Sequence, residues 1–140
     1  MASRDVLKVS ALHYKDPSKT DEEFEKHFHE NINPAWTELV KKHGVMRYTV
    51  TFCPSDVSAG LAETVDKVRP GWTVISSHAV LTYWVRDLKH MLSITSDPEY
   101  QTLGRAVEAE WIDSTKGEIM VGYERVYIEN KEIVDAPKNS

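Results

Sequence analysis

Residues 20–34 read TDEEFEKHFHENINP, and this stretch decides the fold class. Thr20 followed three residues later by Glu23 is the capping-box pattern that begins a helix. Apolar side chains then recur at every fourth position: Phe24, Phe28 and Ile32. This spacing places them in one stripe on a single helix face, so the sequence predicts an amphipathic helix that packs against another layer.

Strand patterns lie on both sides of this helix. Residues 6–14 precede it and residues 45–52 follow it, and both segments alternate apolar and polar side chains. Residues 73–85 are rich in β-branched and aromatic side chains, which indicates a third strand. A second helix is predicted over 97–111 and a fourth strand over 118–128. The order β-α-β-β-α-β predicts an α+β protein with a ferredoxin-like sandwich.

Two segments between these elements carry further predictions. Asn33 is expected to cap a second helical segment that has Pro34 at its first position and ends at Gly44. Residues 54–71 form a long connection, which is typical of a functional loop or a lid. Within that connection, residues 60–68 have the apolar spacing of a short helix.

Size and charge limit the classes of partner. The chain has 140 residues and a net charge of -5, so we expect one domain over residues 1–134, a flexible tail over 135–140, and neither nucleic acid nor membrane as a partner. The single cysteine, Cys53, cannot form an internal disulfide. No apolar run follows the N-terminus as in a signal peptide, so a cytoplasmic location is expected.

Four short motifs, in the right order, resemble the EthD-domain family. Residues 21–28 (DEEFEKHF) resemble its first-helix signature, and Pro34 resembles the proline that closes it. Residues 44–48 (GVMRY) resemble the family's glycine-to-Arg-Tyr start of strand two. Residues 83–88 (YWVRDL) resemble its third strand, and residues 96–100 (SDPEY) resemble its second-helix start. Together the motifs span nearly the whole chain.

The resemblance implies a fold and a class of reaction. It implies a homodimer in which two ferredoxin-like sheets form a dimeric α/β barrel around a small hydrophobic chamber. It also implies a cofactor-independent lyase, a decarboxylase or dehydratase/cyclase, that acts on an aromatic polyketide-like small molecule. Two alternatives remain open: a cofactor-independent anthrone-type monooxygenase, and a non-catalytic barrel that binds a hydrophobic ligand. Ile32 stands where the family usually has a second histidine.

Histidine suits proton transfer near neutral pH, and the sequence shows no metal motif, so catalysis is assigned to histidines and no metal or cofactor is expected. His78 is expected to be the main catalytic group, on the face of strand three shared by Thr82 and Trp84. The alternative is a strand-edge histidine bonded to a backbone carbonyl. His13, on the apolar face of strand one, and His27, beside the apolar stripe, are the other candidates.

Aromatic side chains indicate the shape of the ligand. Tyr48 is expected to hold a phenol or carbonyl oxygen through its hydroxyl group. The other residues expected to bind substrate are Trp36, Trp72, Tyr83 and Trp84. Most aromatic residues belong to cores, but an excess beside a histidine favours a flat, apolar small molecule with few polar groups.

Overall fold

A four-stranded antiparallel sheet organises the molecule. The computed structural model describes residues 6–108 and 110–135. The strands are β1 (Leu7–His13), β2 (Arg47–Phe52), β3 (Ala79–Val85) and β4 (Glu118–Tyr123). They lie in the spatial order β2-β3-β1-β4 and every neighbouring pair is antiparallel. With helices on one side, this topology confirms the predicted α+β ferredoxin-like fold.

A continuous helical arm links β1 to β2. It comprises α1 (Asp21–His27), a π-helical turn (Phe28–Ile32) and α2 (Asn33–Lys42), and the predicted capping box is present at its start. The prediction that Asn33 caps a separate helix is wrong. Its backbone is helical, with φ -60° and ψ -33°, and its N–H donates to the Phe28 carbonyl five residues back. Pro34 lacks the N–H of a regular α-helix, and the wider π turn opens the helix beside it.

The predicted long connection between β2 and β3 is largely helical. α3 (Ser55–Val68) is longer than the short helix expected over 60–68, and none of its residues is buried. Its first backbone N–H, from Ser55, donates to Asp21 at 2.9 Å and so joins α3 to the start of α1. The strand predicted over 73–85 begins only at Ala79, because neither β1 nor β2 extends far enough to pair with residues 73–77.

The second half of the chain completes the helical layer. α4 (Leu88–Thr95) and α5 (Pro98–Glu108) precede β4, and α5 ends before the predicted boundary at residue 111. The strand predicted over 118–128 ends at Tyr123, which is the last residue opposite β1. A small hairpin follows, with β5 (Ile128–Glu129) and β6 (Glu132–Ile133). No helix in the described residues is long and apolar enough to cross a membrane.

The two faces of the sheet differ in composition. Alternate residues of β1 and β3 point towards the helices and form the core with side chains of the helical arm and α4. The core residues include Val9, Phe24, Phe28, Leu39, Val40, Leu81, Val85 and Ile94. The opposite, open face carries Lys8, Ser10, Thr82 and Trp84, and no helix of the described chain covers it. The domain boundary at residue 134 stays a prediction, and residues 136–140 of the predicted tail lie outside the described residues.

Candidate functional site

A cavity of about 250 Å³ lies between the sheet and the helices. One wall comes from β1 and β3, and the others come from the π turn, α2, α4 and α5. Four aromatic rings line it: Phe28, Trp36, Tyr83 and Tyr100. The other lining residues are mostly aliphatic, which is typical of a small-molecule site. A single chain forms this cavity, and a chamber between two copies stays a prediction.

His13 brings a proton-transfer group into this cavity. It is the last residue of β1 and shares the cavity face with Val9 and Ala11, as the sequence predicted. Burial lowers the pKa of His13, so the neutral imidazole predominates at neutral pH. Neither ring nitrogen has a hydrogen-bond partner among the side chains and backbone groups that the structure describes, which leave out the side chains of residues 105–109. His13 is also the only acidic or basic side chain among the described lining residues.

Tyr83 adds a buried hydroxyl group to the same cavity. Only 4% of the residue is exposed, and its hydroxyl oxygen accepts a hydrogen bond from Trp36 Nε1 at 3.1 Å. Its own proton has no acceptor among the side chains that the structure describes. Burial raises the pKa of Tyr83; the Trp36 hydrogen bond opposes this rise and Tyr100 adds to it. The hydroxyl group therefore stays protonated and remains a hydrogen-bond donor across the physiological pH range.

Tyr48 packs against the cavity residue Tyr83 and is not itself among the lining residues. Its hydroxyl proton is donated to Asn33 Oδ1 at 2.8 Å, and its ring stacks on Tyr83 with centroids 5.1 Å apart. Burial is the main cause that raises the pKa of Tyr48. The proton of this hydroxyl is already donated to Asn33, and its role in holding a substrate oxygen stays a prediction. Tyr83, its direct partner across β2 and β3, has the free donor that Tyr48 lacks.

His78 lies outside the cavity, at the residue before β3. Its Nδ1 accepts a hydrogen bond from the Lys15 backbone N–H at 3.1 Å, and its ring meets Tyr14 edge-on. Burial, Lys15 and Lys116 lower the pKa of His78, while Asp21 acts in the opposite direction. The arrangement matches the alternative of a strand-edge histidine, although the backbone partner is an N–H and not a carbonyl. A catalytic role for His78 stays a prediction.

Three further predicted site residues are also away from the cavity. His27 stacks on Trp111 with ring centroids 3.9 Å apart. Trp84 lies on the open face, where Lys8 and the guanidinium of Arg47 contact its ring. Trp72 follows α3 and is 65% exposed. Of the predicted residues, the structure therefore brings together His13, Trp36 and Tyr83.

Sequence reasoning missed several residues that line the cavity. They lie on α4, on α5, on β4 and in the segment before β4, and they are Met91, Ile94, Thr95, Tyr100, Leu103, Gly104, Ile112 and Ile119. The sequence places Tyr100 and Leu103 only on the apolar face of a helix, because periodicity cannot separate a residue that packs into the core from one that lines a cavity. The one local signal was Tyr100 in the SDPEY motif.

A second group of polar residues joins α2, α4 and α5 away from the cavity. We call Lys42, His43, Ser93 and Asp97 the polar cluster. Asp97 Oδ2 bonds to His43 Nε2 at 2.8 Å and to Lys42 Nζ at 3.0 Å, and His43 Nδ1 lies 2.8 Å from Ser93 Oγ. This hydrogen-bonded series of Ser93, His43 and Asp97 resembles a Ser-His-Asp triad. Ser93, however, donates its hydroxyl proton to the His90 carbonyl at 2.7 Å, so His43 does not activate it.

Comparison with known proteins agrees with the four sequence motifs. The model of the EthD domain family matches residues 16–115. The chain is 30% identical to dehydratase iacD of Pestalotiopsis fici over 138 residues, which cover 99% of each chain. It is 21% identical to dehydratase aurZ of Gibberella zeae over 122 residues, covering 86% of this chain and 78% of that protein.

Solved structures share the fold at low identity. An EthD family protein from Bacillus halodurans has a TM-score of 0.54 at 15% identity, covering 86% of this chain and 99% of that one. A mutant form of the cofactor-independent oxygenase SnoaB of Streptomyces nogalater has a TM-score of 0.53 at 12% identity and coverages of 87% and 95%. A dimeric ferredoxin-like protein from Bacteroides fragilis gives 0.51 at 13% identity, with coverages of 86% and 98%.

Proposed function

The chain belongs to the EthD-domain family, and on that basis we propose that it is a lyase that removes water from an aromatic, polyketide-like ketone. The observation that carries the proposal is the position of His13, a neutral imidazole without a described partner inside an apolar cavity. The full-length similarity to a protein named as a dehydratase supports the same reaction class.

The lining of the cavity favours a neutral substrate. Its four aromatic rings fit a flat ring system. None of the described lining side chains is a lysine or an arginine that could pair with a bound carboxylate. Burying an unpaired charge is costly. These features favour dehydration of a hydroxy ketone over decarboxylation of a keto acid.

His13 would begin the reaction as a general base. Its imidazole accepts the proton from the carbon next to the substrate carbonyl, and the electron pair of that C–H bond moves into the carbonyl to form an enolate. The lowered pKa of His13 keeps the ring unprotonated and ready for this step near neutral pH. The substrate carbonyl is itself the electron sink, so we propose that no cofactor takes part.

Tyr83 would hold the oxygen on which negative charge develops. Its hydroxyl proton, unused among the described residues, donates a hydrogen bond to the carbonyl and strengthens it as the enolate forms. The enolate then reforms the carbonyl, the new carbon–carbon double bond appears, and the C–O bond of the β-hydroxyl group breaks. Protonated His13 returns its proton to this leaving group, which departs as water.

We further propose that the protein works as a homodimer. The open face of the sheet has no helix of the described chain over it, although Ser10 and Thr82 at its centre are already buried. Antiparallel sheets usually cover such a face with another layer, and a second copy related by twofold symmetry is the simplest layer available. Light scattering at micromolar concentration should give the mass of two chains; a single-chain mass would contradict this.

The reaction can be tested with a naphthyl β-hydroxy ketone, whose dehydration extends its conjugation and adds an absorbance band. We expect loss of one water by mass spectrometry, with no oxygen consumed and no carbon dioxide released. Carbon dioxide release from the matching keto acid, or oxygen uptake with an anthrone, in place of water loss would contradict the proposal.

Two glycines supply a matched pair of variants for this assay. Gly104 lines the cavity, and Gly60 lies on α3 away from it; both have open space where a side chain would begin. Gly104→Leu should fill the cavity and abolish water loss, while Gly60→Leu should keep the rate of the wild type. Equal rates for the two variants would place the reaction outside this cavity.

A further inference from the structure

We infer that Trp36 is a positioning residue: its indole N–H occupies the Tyr83 hydroxyl oxygen and so directs the Tyr83 proton into the cavity, towards a ligand carbonyl. The inference rests on the proposed function only in that both place a ketone in this cavity.

The geometry at Tyr83 leaves one use for its proton. A tyrosine hydroxyl has one proton to donate and lone pairs to accept with. Trp36 Nε1 takes the accepting side at 3.1 Å. No described side chain accepts the proton, although Tyr83 is 4% exposed and lines the cavity. Buried donors are nearly always paired. The natural acceptor is therefore an oxygen atom of a bound molecule.

Helix α2 holds the ring of Tyr83 in place as well as its hydroxyl group. Asn33 and Trp36 are three residues apart on α2 and so share a helix face. Asn33 accepts the Tyr48 hydroxyl at 2.8 Å, and the Tyr48 ring stacks on Tyr83 at an interplanar angle of 23°. α2 thus reaches Tyr83 twice: once directly through Trp36, and once through the stacked Tyr48 ring.

The Trp36 hydrogen bond also makes Tyr83 a stronger donor. Hydrogen bonds in a chain polarise one another, so an oxygen that accepts from an indole N–H releases electron density from its own O–H bond. The effect supports an enolate oxygen more than a neutral carbonyl, because the donor responds to the charge that develops. Loss of the N–H should therefore lower kcat more than it raises KM.

If the role of Trp36 were purely structural, a replacement of the same shape without the N–H would leave kcat unchanged. Its ring also packs against Tyr100, with centroids 5.9 Å apart, and an amino acid of the same shape would keep that contact. Trp36→benzothienylalanine supplies this shape, with sulfur in place of the N–H. Trp111 offers a matched control: it stacks on His27 and does not line the cavity, so the same replacement there should have no effect on the site.

The probe is acetylnaphthalene labelled with ¹³C at its carbonyl, bound to the full chain and observed by infrared spectroscopy. In the wild type the carbonyl stretch should move to lower wavenumber than in a dry apolar solvent. Trp36→benzothienylalanine should lose most of that shift, approaching Tyr83→Phe, with probe affinity changed by less than about threefold. In the naphthyl β-hydroxy ketone assay its kcat should fall about tenfold with KM nearly constant.

A carbonyl stretch in Trp36→benzothienylalanine equal to that of the wild type would overturn the inference. So would a wild-type protein that fails to bind the probe or that leaves its stretch unshifted. Failure of the proposed function has a different signature: the infrared shift and its dependence on Trp36 remain, but no hydroxy ketone loses water.

Discussion

The cavity and the polar cluster share helices but differ in how far their polar side chains are hydrogen-bonded. In the cavity, neither His13 nor the Tyr83 hydroxyl proton has a hydrogen-bond partner among the described residues. In the polar cluster, Asp97 accepts from His43, from Lys42 and from the Glu99 backbone N–H. α2 and α4 contribute residues to both regions, and Asp97 of the polar cluster directly precedes α5.

This difference in hydrogen bonding distinguishes side chains that are available for catalysis from side chains that stabilise the fold. A fully bonded histidine such as His43 ties α2 to the junction of α4 and α5, which carries the far wall of the cavity. His13 makes no hydrogen bond to the described side chains, so both of its nitrogens are available to a ligand. Variants of the cavity should therefore change the rate, and variants of the polar cluster should change the melting temperature.

The largest effect is expected at His13. His13→Ala should lower kcat by about a hundredfold to ten-thousandfold, because proton transfer by a placed side chain supplies that much rate. Its melting temperature should hardly change, since the imidazole has no described bond to lose. His29→Ala, at an exposed position on the helical arm, is the control for both measurements. A large loss of stability in His13→Ala with an unchanged rate would reverse the contrast.

The pH dependence of the rate should follow His13 and not the polar cluster. Burial lowers the pKa of His13 below its usual value of about 6.5. The base form is then complete at neutral pH, so kcat/KM should be flat above pH ~6.5 and fall about tenfold per unit below the folded-state pKa. A profile from acid to neutral pH tests this; an acid limb centred above ~6.5 would argue against His13 as the base.

Asp97→Asn should affect stability. We expect a melting temperature several degrees lower, and a smaller change for Glu99→Gln, whose side chain is largely exposed. His43, the Glu99 N–H and Lys42 lower the pKa of Asp97. Its stabilisation is thus complete above the unfolded-state pKa of about 3.9 and is lost as the pH falls through the folded value.

Thermal unfolding at neutral and acid pH checks the Asp97 prediction. The difference in melting temperature between wild type and Asp97→Asn should be largest near pH ~7 and should shrink below pH ~4. Asp97→Asn unfolding at the same temperature as the wild type near neutrality would show that the polar cluster does not secure the helices.

The smallest effect is expected from the two helical glycines. Gly60→Ala and Gly104→Ala should each raise stability by about 0.5–1 kcal/mol, because alanine restricts the unfolded chain and neither new methyl group meets a neighbour. Only Gly104→Ala should also weaken binding of the naphthyl ketone, since only Gly104 lines the cavity. Denaturant melts and ligand titrations separate the two results; equal binding by both variants would show that the wall at Gly104 does not meet the ligand.

The fold was predictable because its signals are local and repeat along the chain. The capping box at Thr20 and the alternation in β1 and β2 were read correctly. Strand ends were predicted less well, since a strand ends where its partner ends. β3 begins at Ala79 and β4 ends at Tyr123 for reasons that lie in other strands.

The site was only partly predictable because it depends on which face of a strand a side chain occupies and on which strands pair. His13 was assigned to the correct face. Nothing in the sequence shows whether Tyr48 or Tyr83 has a hydroxyl proton available to a ligand. Only the structure shows that Tyr48 donates its proton to Asn33, whereas Tyr83 accepts from Trp36 and has no described acceptor for its own proton. No spacing rule along the chain contains that information.

The π turn at Phe28–Ile32 has a consequence for how this chain tolerates insertions and deletions. Each helical residue turns the chain by about 100°, and a π turn is equivalent to one residue added to an α-helix. Deleting the exposed Glu30 would let a regular helix form and would rotate the whole of α2 by about that angle. Asn33 and Trp36 would then turn away from Tyr48 and Tyr83. Loss of a single codon, at a position that is not among the described residues lining the cavity, would separate the helix from the tyrosines it orients.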